Sequence, residues 1–225
     1  MNGTLKIMRD MILSWNRGRF VYTDDFASLE SQGSVRIALC TLVKEGLLHR
    51  LARGIYYYPQ VSGNIDYRTN YLLPSEETIA YAVAERERMR IIPYGDQAAR
   101  QLGLTGMSVS SLKYLTDGAP KVINLAKGRK IYFNHTSEVK MFDFRNETMQ
   151  KISSAIRALG TDMIGEREKQ ILQEAIRKVP EEDFNSDISI PPAWVQSLMM
   201  EVWNRLYAPV RTCFKGYCTD ALSTA

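Results

Sequence analysis

Histidine, tryptophan and cysteine are scarce in this 225-residue chain, which has two, three and three of them. The cysteines, Cys40, Cys213 and Cys218, are odd in number, form no CxxC pair and have no histidine cluster nearby. Neither a disulfide framework nor a zinc site is expected from such a set, and unpaired thiols fit a reducing compartment, so the expected localisation is cytoplasmic. No window approaches the ~20 consecutive apolar residues of a membrane span. Met1–Trp15 is broken by Lys6, Arg9 and Asp10, and a signal peptide is not expected there. Internal repeats and low-complexity tracts are missing. A phosphate-cradling GxxxxGK[ST] loop is missing too, because Asn16-Arg17-Gly18-Arg19 and Gly128-Arg129-Lys130 lack its spacing. No cofactor and no metal is therefore expected.

A large excess of one charge is also lacking: 29 Lys+Arg face 25 Asp+Glu, a formal net charge of +4, which argues against a polyanion wrapped over the whole surface. What is present is the make-up of a globular protein, 45% hydrophobic and 24% charged. At roughly 100–150 residues per domain, one large or two small domains fit. The charge is uneven: residues 1–60 carry net +3, residues 61–145 net +3 and residues 146–225 net −2. A basic front is compatible with nucleic-acid contact.

Apolar residues at Leu5, Ile7, Met8, Ile12 and Leu13 predict a first helix that ends at Asn16-Arg17-Gly18. Phe20-Val21-Tyr22 is extended, and Thr23 is placed to cap a brief second helix, Asp24 to Leu29, with Asp24 and Asp25 in its first turn. Ser34 then caps a third helix to about Glu45. Its spacing sets Val35, Leu39, Leu42 and Val43 on one face and Arg36, Ile37, Cys40, Thr41 and Lys44 on the other. Leu47 to Pro59 reads as two strands joined at Arg53-Gly54. This is the element order of a winged helix-turn-helix domain, expected over residues 1–60.

A polar linker is expected at 61–73 and a second domain at 74–225. The latter has a helix after Pro74-Ser75, a short strand at Ile91-Ile92-Pro93, a short helix from Asp96 to Leu102, and a hairpin of Leu112–Thr116 with Lys121–Leu125. Lys130–Asn134 supplies a third strand. After Phe144 the spacing predicts helices ending at Gly160 and Pro180, a polar stretch through Asn185-Ser186-Asp187, and a helix after Pro191-Pro192. The fold class expected is α+β: a winged helix-turn-helix, then a mixed α/β domain with a small antiparallel sheet and a helical C-terminal region.

The third helix and the hairpin carry the clearest chemistry. An α-helix fits the major groove of B-DNA, where its outward side chains read base edges while neighbouring elements hold phosphates. Arg36 is placed for a bidentate contact to guanine, and Thr41 or Ile37 for a thymine methyl. Ser34 and Lys44 share that face, while His49, Arg50 and Arg53 line the hairpin with positive charge suited to phosphate or minor-groove contact. The rival is a non-catalytic interaction module whose winged helix docks a partner protein.

Asp25-Phe26, Ser34-Val35-Arg36, Ala38-Leu39, Leu42-Val43-Lys44-Glu45-Gly46, Leu48-His49-Arg50 and Arg53-Gly54-Ile55-Tyr56 with Pro59 resemble the N-terminal winged helix of the AbiE-type abortive-infection antitoxins of type IV toxin–antitoxin systems. Ile79-Ala80, Ile92-Pro93, Gly95, Ala98, Leu102-Gly103-Leu104 and Tyr114-Leu115-Thr116-Asp117-Gly118 are similar to the second domain of that family. The resemblance covers residues 5 to 145. It implies a transcriptional repressor of its own operon that binds double-stranded operator DNA and counteracts a nucleotidyltransferase-like toxin without a stable complex, with a homo-oligomer on DNA as one arrangement. Carried over, DNA contact falls on Ser34, Arg36, Thr41, Lys44, Arg50 and Arg53.

Catalytic readings have less behind them, and no enzymatic activity is expected. His49 and His135 have no nucleophile partner in the sequence. Glu166, Glu168 and Lys169 have the residue types of a nuclease carboxylate–lysine set, yet acidic residues are expected at a helix start for the dipole. Cys213 and Cys218 read as two plain thiols.

Overall fold

The computed structural model describes residues 3–29, 31–61, 71–106 and 111–215. Its elements in chain order are α1 (Gly3–Ser14), β1 (Arg19–Tyr22), α2 (Gln32–Lys44), β2 (His49–Ala52), β3 (Ile55–Tyr58), β4 (Gln60–Val61), β5 (Tyr71–Leu72), α3 (Glu76–Glu87), β6 (Ile91–Pro93), α4 (Asp96–Gln101), β7 (Ser111–Thr116), β8 (Lys121–Asn124), β9 (Lys130–His135), α5 (Glu147–Leu159), α6 (Glu166–Ile176), α7 (Glu181–Asp187) and α8 (Ala193–Lys215). The strands form sheets of order β1-β3-β2, β4-β5 and β6-β7-β9-β8. The fold is mixed α+β, and among the described residues no helix is long and apolar enough to cross a membrane.

The chain divides into two compact units, Met1–Glu87 with Lys121–Tyr132, and Arg88–Pro120 with Phe133–Ala225. Helix α3 thus groups with the first unit rather than with the segment beyond the expected linker. Most of that linker lies outside the described residues. Its flanks pair, Gln60 with Leu72 and Val61 with Tyr71, as a two-stranded ribbon.

In the first unit, α1 contributes Met8 and Ile12 and α2 contributes Val35, Ala38, Leu39 and Leu42 to a core shared with Val21, Phe26, Leu48, Tyr56 and Tyr58. Truncating a leucine in such a fully buried set costs about 2–5 kcal/mol. Strand β3 is central, and all four of its residues are buried. It pairs antiparallel with β1 from Arg19↔Tyr58 to Tyr22↔Ile55.

Two local expectations are corrected. The brief helix over Asp24–Leu29 is a single 3-10 turn, Thr23–Phe26, drawn tight by the Asp25 carboxylate, which accepts from the Tyr22 N–H at 2.8 Å. Helix α2 begins at Gln32, because Ser31 rather than Ser34 is its cap: the Ser31 Oγ accepts from the Ser34 N–H at 3.4 Å. The β2–β3 hairpin closes over Arg53-Gly54, with Ala52 opposite Ile55. Gly54 has φ +76°, a backbone state in which a side chain is strained. Register slips between Arg50 and Ala52, a bulge that twists the hairpin tip.

The second unit is built on a helical core. Met149, Ile152 and Ile156 of α5, Leu172 and Ile176 of α6, Phe184 of α7, and Val195, Met199, Val202 and Trp203 of α8 are packed together. Phe184 and Trp203 stack with centroids 3.9 Å apart and planes 12° apart. Asp187 is fully buried here, its carboxylate accepting from the N–H groups of Arg145 at 3.0 Å and Asn146 at 2.9 Å. Asn146 in turn caps α5, its side chain accepting from the Thr148 N–H at 2.9 Å. The polar stretch expected through Asn185-Ser186-Asp187 is the end of a helix, α7. The expected hairpin of 112–116 with 121–125 is also corrected, since β9 lies between β7 and β8. Ile123 is the one buried residue of β8, as suits an edge strand, whereas β7 buries Leu112, Tyr114 and Thr116.

Candidate nucleic-acid interface

The period of α2 that turns Val35, Ala38, Leu39 and Leu42 inward leaves Arg36, Ile37, Cys40 and Lys44 exposed. Ile37 is 67% exposed, an unusual state for a large aliphatic side chain in mid-helix. Ser34 and Thr41 are half-buried, and the Thr41 Oγ1 donates to the Ile37 carbonyl at 3.0 Å, which ties its hydroxyl to the helix. On the hairpin Arg50 and Arg53 are exposed, and His49 is half-buried, paired in register with Tyr57.

Arg50 sits opposite Tyr56 across the hairpin. Burial pushes the Tyr56 phenol above its ordinary pKa; the charge of Arg50 works against that rise, Cys40 adds to it and Arg36 opposes it. The Tyr56 hydroxyl thus marks where α2 and the hairpin meet, with Arg36 and Arg50 acting on one group. Of the residues read from sequence, Arg50, Cys40 and Arg36 all bear on this one phenol. Arg53 stands apart at the turn, where it also lines a cleft of about 450 Å³ with Tyr22, Asp24, Arg86 and Lys121.

Charge pairing in the first unit is partial. Arg9 pairs with Glu45, Arg86 with Asp25 at 2.8 Å and Asp24 at 3.6 Å, Lys121 with Glu87, and Arg129 with Glu76 at 2.6 Å. Arg36, Lys44, Arg50 and Arg53 form no ion pair among the described residues. Arg86 also lies over the Tyr22 ring, 3.9 Å from its centroid. Burial raises the Tyr22 phenol, with Arg86 pulling it down and Asp25 pushing it up.

Sequence reasoning did not nominate Tyr56, Arg17 or Arg19. Arg17 lies 4.8 Å from the Tyr58 centroid and donates to the Pro59 carbonyl at 3.1 Å; Arg19 lies 4.2 Å from the Trp15 centroid. The signal for the pair was the Arg17-Gly18-Arg19 run ahead of a strand. For Tyr56 it was the aromatic Tyr56-Tyr57-Tyr58 stretch, although only the register shows which ring faces Arg50.

The nuclease-like set is placed otherwise. The Glu168 carboxylate accepts from the Gly165 N–H at 3.0 Å as part of the α6 cap, Glu166 pairs with Arg205 at 2.7 Å, and Lys169 pairs with Glu201 at 2.9 Å. The Glu166 and Lys169 pairs join α6 to α8. His135 Nδ1 lies 2.9 Å from the Gly118 carbonyl oxygen. Among the described residues no three His, Cys, Asp or Glu side chains gather as a metal site. Cys218 lies outside the described residues.

Among solved structures, the RV2827C protein from Mycobacterium tuberculosis is similar to this chain at 12% identity, with a TM-score of 0.43, covering 86% of this chain and 79% of that one. None of the curated proteins matches. A family of unknown function, DUF6088, matches residues 7–184, from within α1 to within α7. That span takes in the exposed α2 face, the hairpin and most of both units, and the chain belongs to the DUF6088 family.

Proposed function

We propose that residues 1–60 form a winged helix-turn-helix that binds double-stranded DNA, and that the chain is a transcriptional autorepressor and antitoxin opposing a nucleotidyltransferase-like toxin from the same operon. The observation that supports the DNA half is the grouping of four exposed cations on α2 and its hairpin. Arg36, Lys44, Arg50 and Arg53 form no ion pair among the described residues, while Asp24, Asp25, Glu45, Glu76 and Glu87 of the same unit have cationic partners. An exposed cation without an internal partner is available to a phosphate or a base edge.

In this reading Arg36 reads a base in the major groove, Ile37 lies against a thymine methyl, and Lys44, Arg50 and Arg53 meet phosphates. The repressor and antitoxin half rests on the family resemblance carried by residues 5 to 145. A second reading, docking of a partner protein, is favoured by one observation, the 67% exposure of Ile37 amid the polar face.

The two readings separate by fluorescence anisotropy of the full chain on the DNA upstream of its own gene and on a shuffled copy, at several salt concentrations. Each phosphate neutralised contributes about −0.9 to the slope of log K against log salt, so Lys44, Arg50 and Arg53 together predict a slope of roughly −3 per chain. Preference for the upstream DNA with such a slope supports the repressor. No binding at low salt defeats it and leaves the protein-docking reading.

A further inference from the structure

We propose that the second unit holds a binding site for a small amphipathic carboxylate, in a cleft of about 480 Å³ framed by the 3-10 turn Val139–Phe142, helix α5 and the Ile190-Pro191-Pro192 segment ahead of α8. The size is that of ligand pockets, which run from roughly 300 to 1,000 Å³ and combine apolar walls with a few converging polar groups. Here the walls are Val139, Met141, Phe144, Ile190, Pro191 and Pro192.

The polar groups decide the ligand class. Ser153, on α5, lines the cleft and is fully buried, and its Oγ has no hydrogen-bond partner. A buried hydroxyl without a partner is a cost to the empty protein that a ligand acceptor beside it removes. One turn further along the same face is Arg157, which also lines the cleft. Its guanidinium is held by Glu138 at 3.0 Å, but that carboxylate is 58% exposed, and an exposed pair of this kind is weak. A ligand carboxylate that reaches into the cleft exchanges for Glu138 without stranding a buried charge. Lys140, on the rim, forms no ion pair among the described residues and adds to the positive field. A hydroxyl donor, a fork-shaped cation and a second cation favour a carboxylate head, while six apolar residues favour a hydrocarbon body over an inorganic anion.

The site is independent of the DNA-binding reading and is tested without DNA. The full chain is titrated with octanoate by calorimetry, with acetate supplying the head alone and octanol the body alone. Saturable binding of one octanoate per chain is expected, with acetate and octanol each at least roughly tenfold weaker, the loss that goes with one charge-assisted bond or a short hydrocarbon. Ser153→Ala is expected to melt no lower than the native chain without ligand, since it removes an unpartnered hydroxyl, yet to bind octanoate several-fold more weakly. Arg157→Gln is expected to weaken it by roughly tenfold or more. The opposite signs of the two Ser153→Ala effects separate a ligand role from a packing role. Absence of saturable octanoate binding, equal affinity for octanol, or an octanoate affinity that neither variant changes overturns the proposal.

Discussion

The buried carboxylate of Asp187 offers a severe test of how the second unit is held together. It sits at the C-terminal end of α7, where the helix dipole disfavours a negative charge. It also accepts from the backbone N–H groups of Arg145 and Asn146, just ahead of α5, where an N-terminal dipole favours that charge. Asp187→Ala deletes the acceptor and leaves two part-buried N–H groups without it. At about 1–3 kcal/mol for each orphaned group the range is roughly 2–6 kcal/mol, and part-burial places the expected loss at about 2–4 kcal/mol. Asp187→Asn keeps one acceptor oxygen but turns an NH2 toward the second donor, so about half of that loss is expected. The measurement is urea unfolding followed by far-UV circular dichroism, with hydrogen exchange at the amides of residues 145 and 146 as a local readout. In a chain of this size the alanine variant melts roughly 10 °C lower. Two results refute the reasoning: both variants within about 0.5 kcal/mol of the native protein, or a normal unfolding midpoint with unchanged protection at 145 and 146.

Arg36→Ala is expected to cost roughly 1–3 kcal/mol on the preferred DNA and relax base preference at one position, whereas Arg53→Ala weakens all sequences nearly alike and lowers the salt slope by about 1; anisotropy on native and shuffled DNA tells these apart, and equal losses on both for Arg36→Ala dispose of its base-reading role. Ser31→Ala removes the α2 cap and is expected to cost about 0.5–1 kcal/mol by thermal unfolding, the low end for an exposed cap with a 3.4 Å bond. Asp117 accepts from both the backbone N–H and the Nε of Arg90, at 2.8 and 2.7 Å, and the Arg90 bond holds its carboxyl below the ordinary value. A lowered folded-state pKa adds stability above the unfolded value of about 3.9 that disappears as pH falls through the folded one. The melting-point gap between native chain and Asp117→Asn is therefore expected near neutral pH and to close in acid below about pH 4; a gap independent of pH contradicts the pairing.

The α2 face was legible because a helix with four buried residues at a 3.6 period announces its outer face, and Arg36, Ile37, Cys40 and Lys44 are exposed as the spacing required. Its start was misread because Ser31 and Ser34 are both good caps three residues apart, and the choice depends on which one the chain extends into. The helix over Asp24–Leu29 shrank to one 3-10 turn for a different reason: the aspartates that suit a helix start also reach back to neighbouring backbone, as Asp25 does to Tyr22. Helix α7 was invisible because Phe184 is its one buried apolar residue, and its last residue, Asp187, is fixed by partners some forty positions away. Strand order was illegible at 112–125, where the Asp117-Gly118 turn signal is real but says nothing of a later strand, β9, taking the place between. The pairing of Arg50 with Tyr56 depends on the hairpin register, which the bulge after Arg50 alters and composition does not encode.

The first unit is assembled from two stretches of chain, Met1–Glu87 and Lys121–Tyr132. During synthesis its closing piece, which brings Lys121 to Glu87 and Arg129 to Glu76, emerges only after the chain has run on past α3. At ~5–20 residues per second that is a wait of a few seconds on the ribosome, during which α1, α2 and the hairpin are made but the unit is unfinished. The same arithmetic applies to any shortened gene product. A fragment stopped near residue 60 carries every side chain proposed to contact DNA, yet leaves out Arg86, the partner that Asp24 and Asp25 hold beside Tyr22. One extended to residue 132 keeps that partner, and is the smaller piece that contains the whole unit.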